Sequence, residues 1–241
     1  MLVNRSSMDW YNLPVRRLLP QKSSKEYSFL MKRTSSEEML TDQVEVLRST
    51  LKDKDPFALA GRTGADFHSL AQAEGELRLF LWGRPVSIST PQLHARYGDT
   101  SEELPPHLQA LLLYYCLTCD GTRPSGQWMA FSQLPDGRFY DQAFQGYTGN
   151  VLAQTFREDV EAFCAAAQRL GGSREFQLGS AAFAFRALPF VPLLAVYWQG
   201  DEDFPSTCQI LFDSAVSHHL PTDACAILGS HLTRQLIKHR E

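Results

Sequence analysis

Residues 181–213 read AAFAFRALPFVPLLAVYWQGDEDFPSTCQILFD, two apolar runs on either side of an acidic turn. Residues 190–198 contain almost no polar side chain, so a strand here would be apolar on both faces. That pattern is typical of a central strand that is covered on both sides. Residues 206–212 alternate, and GDEDFP at 200–205 has the composition of a turn. The stretch therefore predicts a hairpin at the middle of a sheet.

The remaining elements are predicted from periodicity and from capping or turn residues. Helices are predicted over residues 36–51, 91–97, 105–119, 150–170 and from Thr222 onward, where Thr222 would be the cap. Further strands are predicted over residues 76–82, 86–88, 127–131 and 138–140, with hairpin turns at 83–84 and 134–137. Hairpins and helices alternate irregularly. The predicted fold class is therefore α+β, a mostly antiparallel sheet with a central hairpin, covered by helices.

The charge distribution divides the chain into two parts. Residues 1–33 carry seven Lys/Arg and two Asp/Glu, a net charge of +5, whereas the remainder carries −9. We predict a basic, flexible extension over residues 1–35 and a single α+β domain over 36–241. Two alternatives stay open for the extension. It is a basic arm that docks on the acidic body or on a partner, or the true start of the protein is Met31 or Met39.

Composition excludes several classes of protein. The acidic body argues against nucleic-acid binding. The longest apolar run, residues 187–198, is shorter than the about 20 residues of a membrane-spanning helix. We see no secretory signal, and five cysteines at irregular spacing do not form a disulfide framework. A cytoplasmic location is the simplest interpretation.

Aromatic residues are concentrated in residues 128–147, a pattern that could line a pocket for a small molecule. The candidate ligand-binding residues are Trp128, Phe131, Arg138, Tyr140, Tyr147 and Trp198. Packing of a hairpin core explains the same aromatic residues equally well.

Acidic and histidine residues provide a second candidate site, for a metal ion. The candidate ligands are Asp201, Glu202, Asp213, His218 and His219. Such a site requires the acidic turn and the histidines to converge. The alternative is a solvated turn and boundary residues ahead of the last helix.

Cys116 and Cys119 form a C-x-x-C at the end of an apolar helix, whereas a redox motif should open a helix. We interpret both as small buried hydrophobic residues. The chain also has no G-x-x-x-x-G-K-[ST], G-x-G-x-x-G, H-E-x-x-H or G-x-S-x-G motif, which argues against the common nucleotide, zinc-protease and hydrolase functions.

Short motifs spread along the chain carry a family resemblance. They lie at residues 64–65, 79–86 (LFLWGRPV), 112–115, 120–121, 126–128, 131, 134–140 (LPDGRFY), 188–189, 191–193, 198, 200–205 (GDEDFP), 211–213 and 220–221. Over roughly residues 39–237 the chain resembles the prokaryotic domain of unknown function 3786. The resemblance implies one domain of anaerobic prokaryotes, without an assigned activity, found beside iron–sulfur and corrinoid-related domains. It supplies no catalytic residue, and the cofactor is unknown.

Three functions are compatible with these observations. The first is an accessory domain that binds a small molecule or a partner protein through residues 128–147 and the acidic turn. The second is a metal-dependent enzyme that uses the acidic turn and the nearby histidines. The third is an interaction protein whose basic tail docks on a partner.

Overall fold

A computed structural model describes residues 36–70 and 74–240 of the chain. The predicted extension over residues 1–35 lies outside the described residues. The helices are α1 (Ser36–Leu51), α2 (Pro56–Thr63), α3 (Pro106–Thr118), α4 (Gly137–Tyr147), α5 (Gly149–Phe156), α6 (Val160–Arg169) and α7 (Thr222–Lys238). The strands are β1 (Asp66–Ser69), β2 (Gly75–Leu81), β3 (Arg84–Thr90), β4 (Ala95–Tyr97), β5 (Trp128–Ala130), β6 (Ser173–Glu175), β7 (Ala181–Leu188), β8 (Val191–Trp198) and β9 (Thr207–Asp213).

The strands form two antiparallel sheets, which confirms the α+β class. Sheet I has the order β1-β2-β3-β4, and sheet II has the order β5-β9-β8-β7-β6. The predicted hairpin is confirmed as β8 and β9, and β8 is the middle strand of sheet II. The two sheets meet where the backbone N–H of Trp82 donates to the carbonyl of Ala187 at 2.9 Å.

The apolar run of β8 is buried on both of its faces. Leu193 and Tyr197 lie on the face that joins the main core. Leu194 and Val196 lie on the opposite face, in a small second cluster with Ala182. Because both faces are covered, the run needs no polar face, and this is why it does not alternate.

Helices cover one face of sheet II and surround the main core. α3 is buried nearly all round, as its composition predicts, and it packs against α1. α5 lies so close to β9 that a Cβ on Gly149 would stand 2.1 Å from the carbonyl oxygen of Cys208, so glycine is required there. Within residues 36–70 and 74–240, no helix is long and apolar enough to cross a membrane.

The prediction of a strand over residues 138–140 was wrong, because these residues lie in α4. Tyr140, Phe144 and Tyr147 recur at helical spacing and pack on the main core. The chain enters α4 through a tight approach in which a Cβ on Gly137 would stand 2.0 Å from the carbonyl oxygen of Phe131. The turn at 134–137 therefore leads into a helix.

The prediction of a helix over residues 91–97 was also wrong. This segment turns and then forms β4, where Ala95 pairs with Ile88 and Tyr97 with Val86. Sheet hydrogen bonds and the full burial of Ala95 outweigh the local helix-start signal of Pro91.

Three boundaries differ from the prediction. The helix predicted over 150–170 is divided into α5 and α6, where Arg157 takes a left-handed φ of 52° and Asp159 caps α6 by accepting from the N–H of Ala162. The first hairpin turn is Trp82-Gly83, because β3 already begins at Arg84. Thr222 is the first residue of α7, and its side chain makes no cap.

Candidate functional site

One end of sheet II is formed by three loop segments, which are residues 157–159, 175–180 and 199–206. β6 and β8 end there, at Glu175 and Trp198, and β7 and β9 begin there. Gln199 joins the segments, because its N–H donates to Ser180 Oγ at 2.9 Å and its Nε2 donates to the carbonyl of Glu158 at 3.1 Å. We call residues 157–159, 175–180 and 199–206 the loop end.

The loop end carries large apolar side chains in solvent. Phe176 is 88% exposed, Phe204 is 70% exposed, and Leu178 is 38% exposed. Single exposed apolar residues are common on soluble proteins, but several at one place mark interaction surfaces. The loop end is therefore the strongest candidate for a binding surface in the described part of the chain.

The acidic turn is held in a defined shape by Asp201. Its Oδ1 accepts from the N–H of Asp203 at 2.9 Å and from the N–H of Phe204 at 2.8 Å. The N–H of Asp201 donates back to the carbonyl of Phe204 at 2.9 Å. Asp201 therefore fixes the backbone of Phe204, and Glu202 and Asp203 supply exposed charge.

The charge of the loop end is strongly negative. Its carboxylates are those of Glu158, Asp159, Glu175, Asp201, Glu202 and Asp203. Arg157 is its one cationic side chain. The neighbouring Arg174 is engaged by the protein, because it lies 5.0 Å from the ring centroid of Phe183 and donates to the Ser180 carbonyl at 3.1 Å. An exposed apolar surface with this rim suits a cationic partner.

Trp128 and Trp198, two of the predicted ligand-binding residues, pack on the same small cluster. Both are partly buried against Leu194 and Val196 on the face of sheet II opposite the main core. Trp198 pairs with Thr207 at the loop end, whereas Trp128 pairs with Asp213 at the far end of β9. The structure thus places Trp198 next to the acidic turn and Trp128 about 20 Å away, at about 3.3 Å per residue.

The other predicted ligand-binding residues lie elsewhere. Phe131 is buried, and its ring stacks on Phe144 with centroids 4.1 Å apart. Tyr140 and Tyr147 are partly buried against the main core on α4, and Arg138 of the same helix is exposed. The structure therefore does not bring the six predicted residues into one pocket.

Asp213 stabilises the backbone around the end of β9. It is buried, and its two oxygens accept from the N–H groups of Ser125, Gly126 and Ala215 and from Ser125 Oγ, at 2.7 to 3.0 Å. These four hydrogen bonds occupy the carboxylate and fix the segment before β5.

The two predicted histidine ligands have separate partners. His218 Nδ1 lies 2.8 Å from Asp120 Oδ2, and His219 Nδ1 lies 3.3 Å from the thiol of Cys119. Both follow Asp213, so they stand at the opposite end of β9 from the acidic turn. In residues 36–70 and 74–240, no group of three or more His, Cys, Asp or Glu is arranged to hold a metal ion. Among the described residues, the acidic turn and the two histidines therefore do not converge on one site.

Cys119 and His219 are fully buried and electrically neutral. Burial raises the pKa of the Cys119 thiol and lowers the pKa of the His219 imidazole. Cys119 Sγ also donates to the carbonyl of Arg62 at 2.9 Å. Burial raises the pKa of the neighbouring Cys116 to about 12. Both cysteines of the C-x-x-C are thus protonated thiols, unlike the thiolates of redox sites.

Sequence reasoning missed Phe176 and Leu178. The only local signal is that both interrupt a polar, glycine- and serine-rich stretch, EFQLGS, where turn composition predicts no core residue. An apolar side chain in such a loop either packs inward or stays exposed, and the sequence does not distinguish the two.

Comparison with known proteins adds a family. Residues 55–235 match the family described as a domain of unknown function, DUF3786. The chain belongs to this family. The DUF3786 match includes the loop end, Asp213 and both histidines, whereas α1 lies before it. No curated protein and no solved structure matches the chain.

Proposed function

We propose that this DUF3786 chain is a binding domain that recognises a cationic protein segment with apolar side chains at its loop end. One observation carries the proposal: Phe176 and Phe204 are exposed next to six carboxylates and one cation. A partner that covers the two rings gains about 1.5–3 kcal/mol for each fully buried phenyl group. The acidic rim adds electrostatic steering and selects against anionic partners.

The acidic turn divides into a scaffold and a contact part, and the experiment uses this division. Asp201 is kept, because it shapes the turn, while Glu202→Gln/Asp203→Asn removes charge and Phe176→Ser/Phe204→Ser removes the apolar anchors. Phe80→Ser is the matched control, since Phe80 is 60% exposed but lies on β2 of sheet I, away from the loop end.

The probe is a fluorescent peptide of alternating lysine and leucine, and an otherwise identical glutamate–leucine peptide is the reference. We expect fluorescence anisotropy to show binding of the lysine peptide alone. A loss of about 2 kcal/mol per ring predicts roughly a 30-fold weaker Kd for each lost anchor. The proposal fails if Phe80→Ser weakens binding as much as the loop-end variants, or if the two peptides bind alike.

Several finer expectations stay predictions: the cytoplasmic location, the small-molecule ligand, and the link to corrinoid or iron–sulfur metabolism. A visible absorption spectrum and a native mass of anaerobically purified protein address the last one. A coloured group in stoichiometric amount would support the link, and it would also redirect the search for a ligand away from the loop end.

A further inference from the structure

A small apolar patch lies on the face of sheet II opposite the main core. Ala182, Leu194 and Val196 are fully buried at its centre. We call the patch the tryptophan face, and the residues that pack around its centre are Trp128, Ala184, Trp198 and Leu211. All of these residues belong to strands of sheet II. Within residues 36–70 and 74–240, no helix therefore adds an apolar side chain to this cluster.

The two indoles of the tryptophan face keep hydrogen-bond donors free. Trp128 and Trp198 are only partly buried. Among the described residues, neither indole N–H donates to another group, and neither ring stacks on another aromatic ring. In contrast to the indole N–H of Trp82, theirs is not buried. The tryptophan face therefore offers ring surface together with free donors, which suits a partner that is rich in acceptors.

The tryptophan face begins at the acidic turn and runs away from it. Trp198 stands three residues before Asp201 and pairs with Thr207. Trp128 pairs with Asp213, six residues further along β9. The backbone positions of the two tryptophans are thus about 20 Å apart along the strand, at about 3.3 Å per residue. A segment that lies on both indoles reaches the carboxylates of the loop end with one of its ends.

The backbone of sheet II limits the conformation of such a segment. Backbone groups within a sheet pair with the neighbouring strands, so the face offers none of them to a partner. A segment on this face must leave its own backbone groups to water. Polyproline II is the conformation with a solvated backbone and no internal hydrogen bonds, and proline has no N–H to satisfy. At a rise of about 3.1 Å per residue, about seven residues of it span the two indoles.

We propose that the tryptophan face binds a proline-rich segment in the polyproline II conformation, with a basic flank of that segment at Glu202 and Asp203. The prolines pack on the indoles, as they do in other aromatic-lined peptide sites, and their carbonyl groups accept from the indole N–H groups. This inference rests on the function proposed for the loop end and specifies its partner. The carboxylates of the loop end repel phosphate groups, so they select against a nucleic acid whose bases would stack on the same rings.

Three fluorescent peptides test the proposal on the full-length wild-type protein. Each carries the same lysine flank, followed by a block of prolines, of glycine and serine, or of alanine and leucine, and each block can span about 20 Å. We expect fluorescence anisotropy to show that the proline peptide binds about tenfold tighter than either reference. Equal or tighter binding of a reference peptide would overturn the inference.

The acidic turn separates failure of this inference from failure of the proposed function. Glu202→Gln/Asp203→Asn should weaken the binding of the proline peptide and of the lysine–leucine peptide alike. If it weakens only the lysine–leucine peptide, the function proposed for the loop end stands and the inference is refuted. If it weakens neither peptide, the proposed function fails, and the placement of the basic flank fails with it.

Trp128 provides the test that is specific to the tryptophan face. Because Trp128 lies far from the acidic turn, Trp128→Leu should weaken the proline peptide about tenfold and leave the Kd of the lysine–leucine peptide as in the wild type. Fluorine NMR of the 5-fluorotryptophan-labelled wild type gives a second measurement that does not depend on the folding of this variant. The proline peptide should shift the resonances of Trp128 and Trp198 but not that of Trp82, which stacks on His231. Unshifted resonances of Trp128 and Trp198 would refute the binding.

Discussion

His231 on α7 should make the stability of the chain strongly dependent on pH. Its ring stacks on Trp82, with centroids 5.4 Å apart and planes 15° from parallel. Burial, and then the charges of Arg234 and His107, together lower the pKa of His231 to about 4. The folded chain therefore holds this imidazole neutral at pH values where the unfolded chain, with a histidine pKa of about 6.5, binds a proton.

The direction of the pH dependence follows from which state, folded or unfolded, binds more protons. Below pH 6.5 the unfolded state takes up a proton that the folded state refuses, so the free energy of unfolding falls as the pH falls. The loss from this one group is about 2 kcal/mol at pH 5 and about 3 kcal/mol at pH 4, and it levels off below the folded-state pKa. Burial also lowers the pKa values of His107 and His219. Both groups therefore also make the free energy of unfolding fall as the pH falls.

Urea unfolding between pH 7.5 and 4 measures this effect. In His231→Gln the side chain cannot titrate, so the fall in unfolding free energy over this range should be smaller than in the wild type by about 3 kcal/mol. The variant also loses the stacking on Trp82, so the comparison concerns slopes and not absolute stabilities. His68→Gln, on exposed β1, is the matched histidine substitution against which the slope of His231→Gln is compared. Equal slopes in the wild type and His231→Gln would refute the argument.

Three further predictions concern the parts of sheet II. Asp213→Asn replaces an acceptor by an amide that cannot satisfy all four donors, and we expect the free energy of unfolding in urea to fall by about 2–4 kcal/mol. Leu194→Ala opens a cavity in the small cluster and should cost about 3 kcal/mol in the same assay, while Val46→Ala on the exposed side of α1 should cost less than about 0.5 kcal/mol. Asp201→Ala should leave the overall stability within about 1 kcal/mol but speed proteolysis in the turn, because two hydrogen bonds to Asp201 Oδ1 are lost. An unchanged proteolysis rate, or equal costs for the two core and surface truncations, would contradict these expectations.

The sequence predicts the elements whose signals are local. α1 and α3 follow from helical spacing and composition, and the β8–β9 hairpin follows from an apolar run, a turn and an alternating run. β4 escapes prediction, because three residues carry no readable period and depend on pairing with β3. α4 is not predicted, because Pro135-Asp136-Gly137 indicates a turn whether a strand or a helix follows. The packing of Phe144 on the core selects the helix.

The candidate site is less predictable than the fold. The sequence predicts the acidic turn and Trp198, and the structure places them side by side. The exposure of Phe176 and Phe204 depends on which loops meet at one end of the sheet, which is a tertiary property.

The edges of sheet II bear on how the protein behaves at high concentration. Its two outermost strands, β5 and β6, are three residues long, whereas β7 and β8 have eight residues each and are almost entirely apolar. Short edges offer few unsatisfied backbone groups for strand addition by another molecule. β6 pairs with residues 182–184 of β7 and so covers the backbone groups of that part of a long apolar strand. Loss of β6 would expose the backbone groups of β7 that pair with it. The three residues Ser173–Glu175 therefore protect this part of the sheet against strand addition by another molecule.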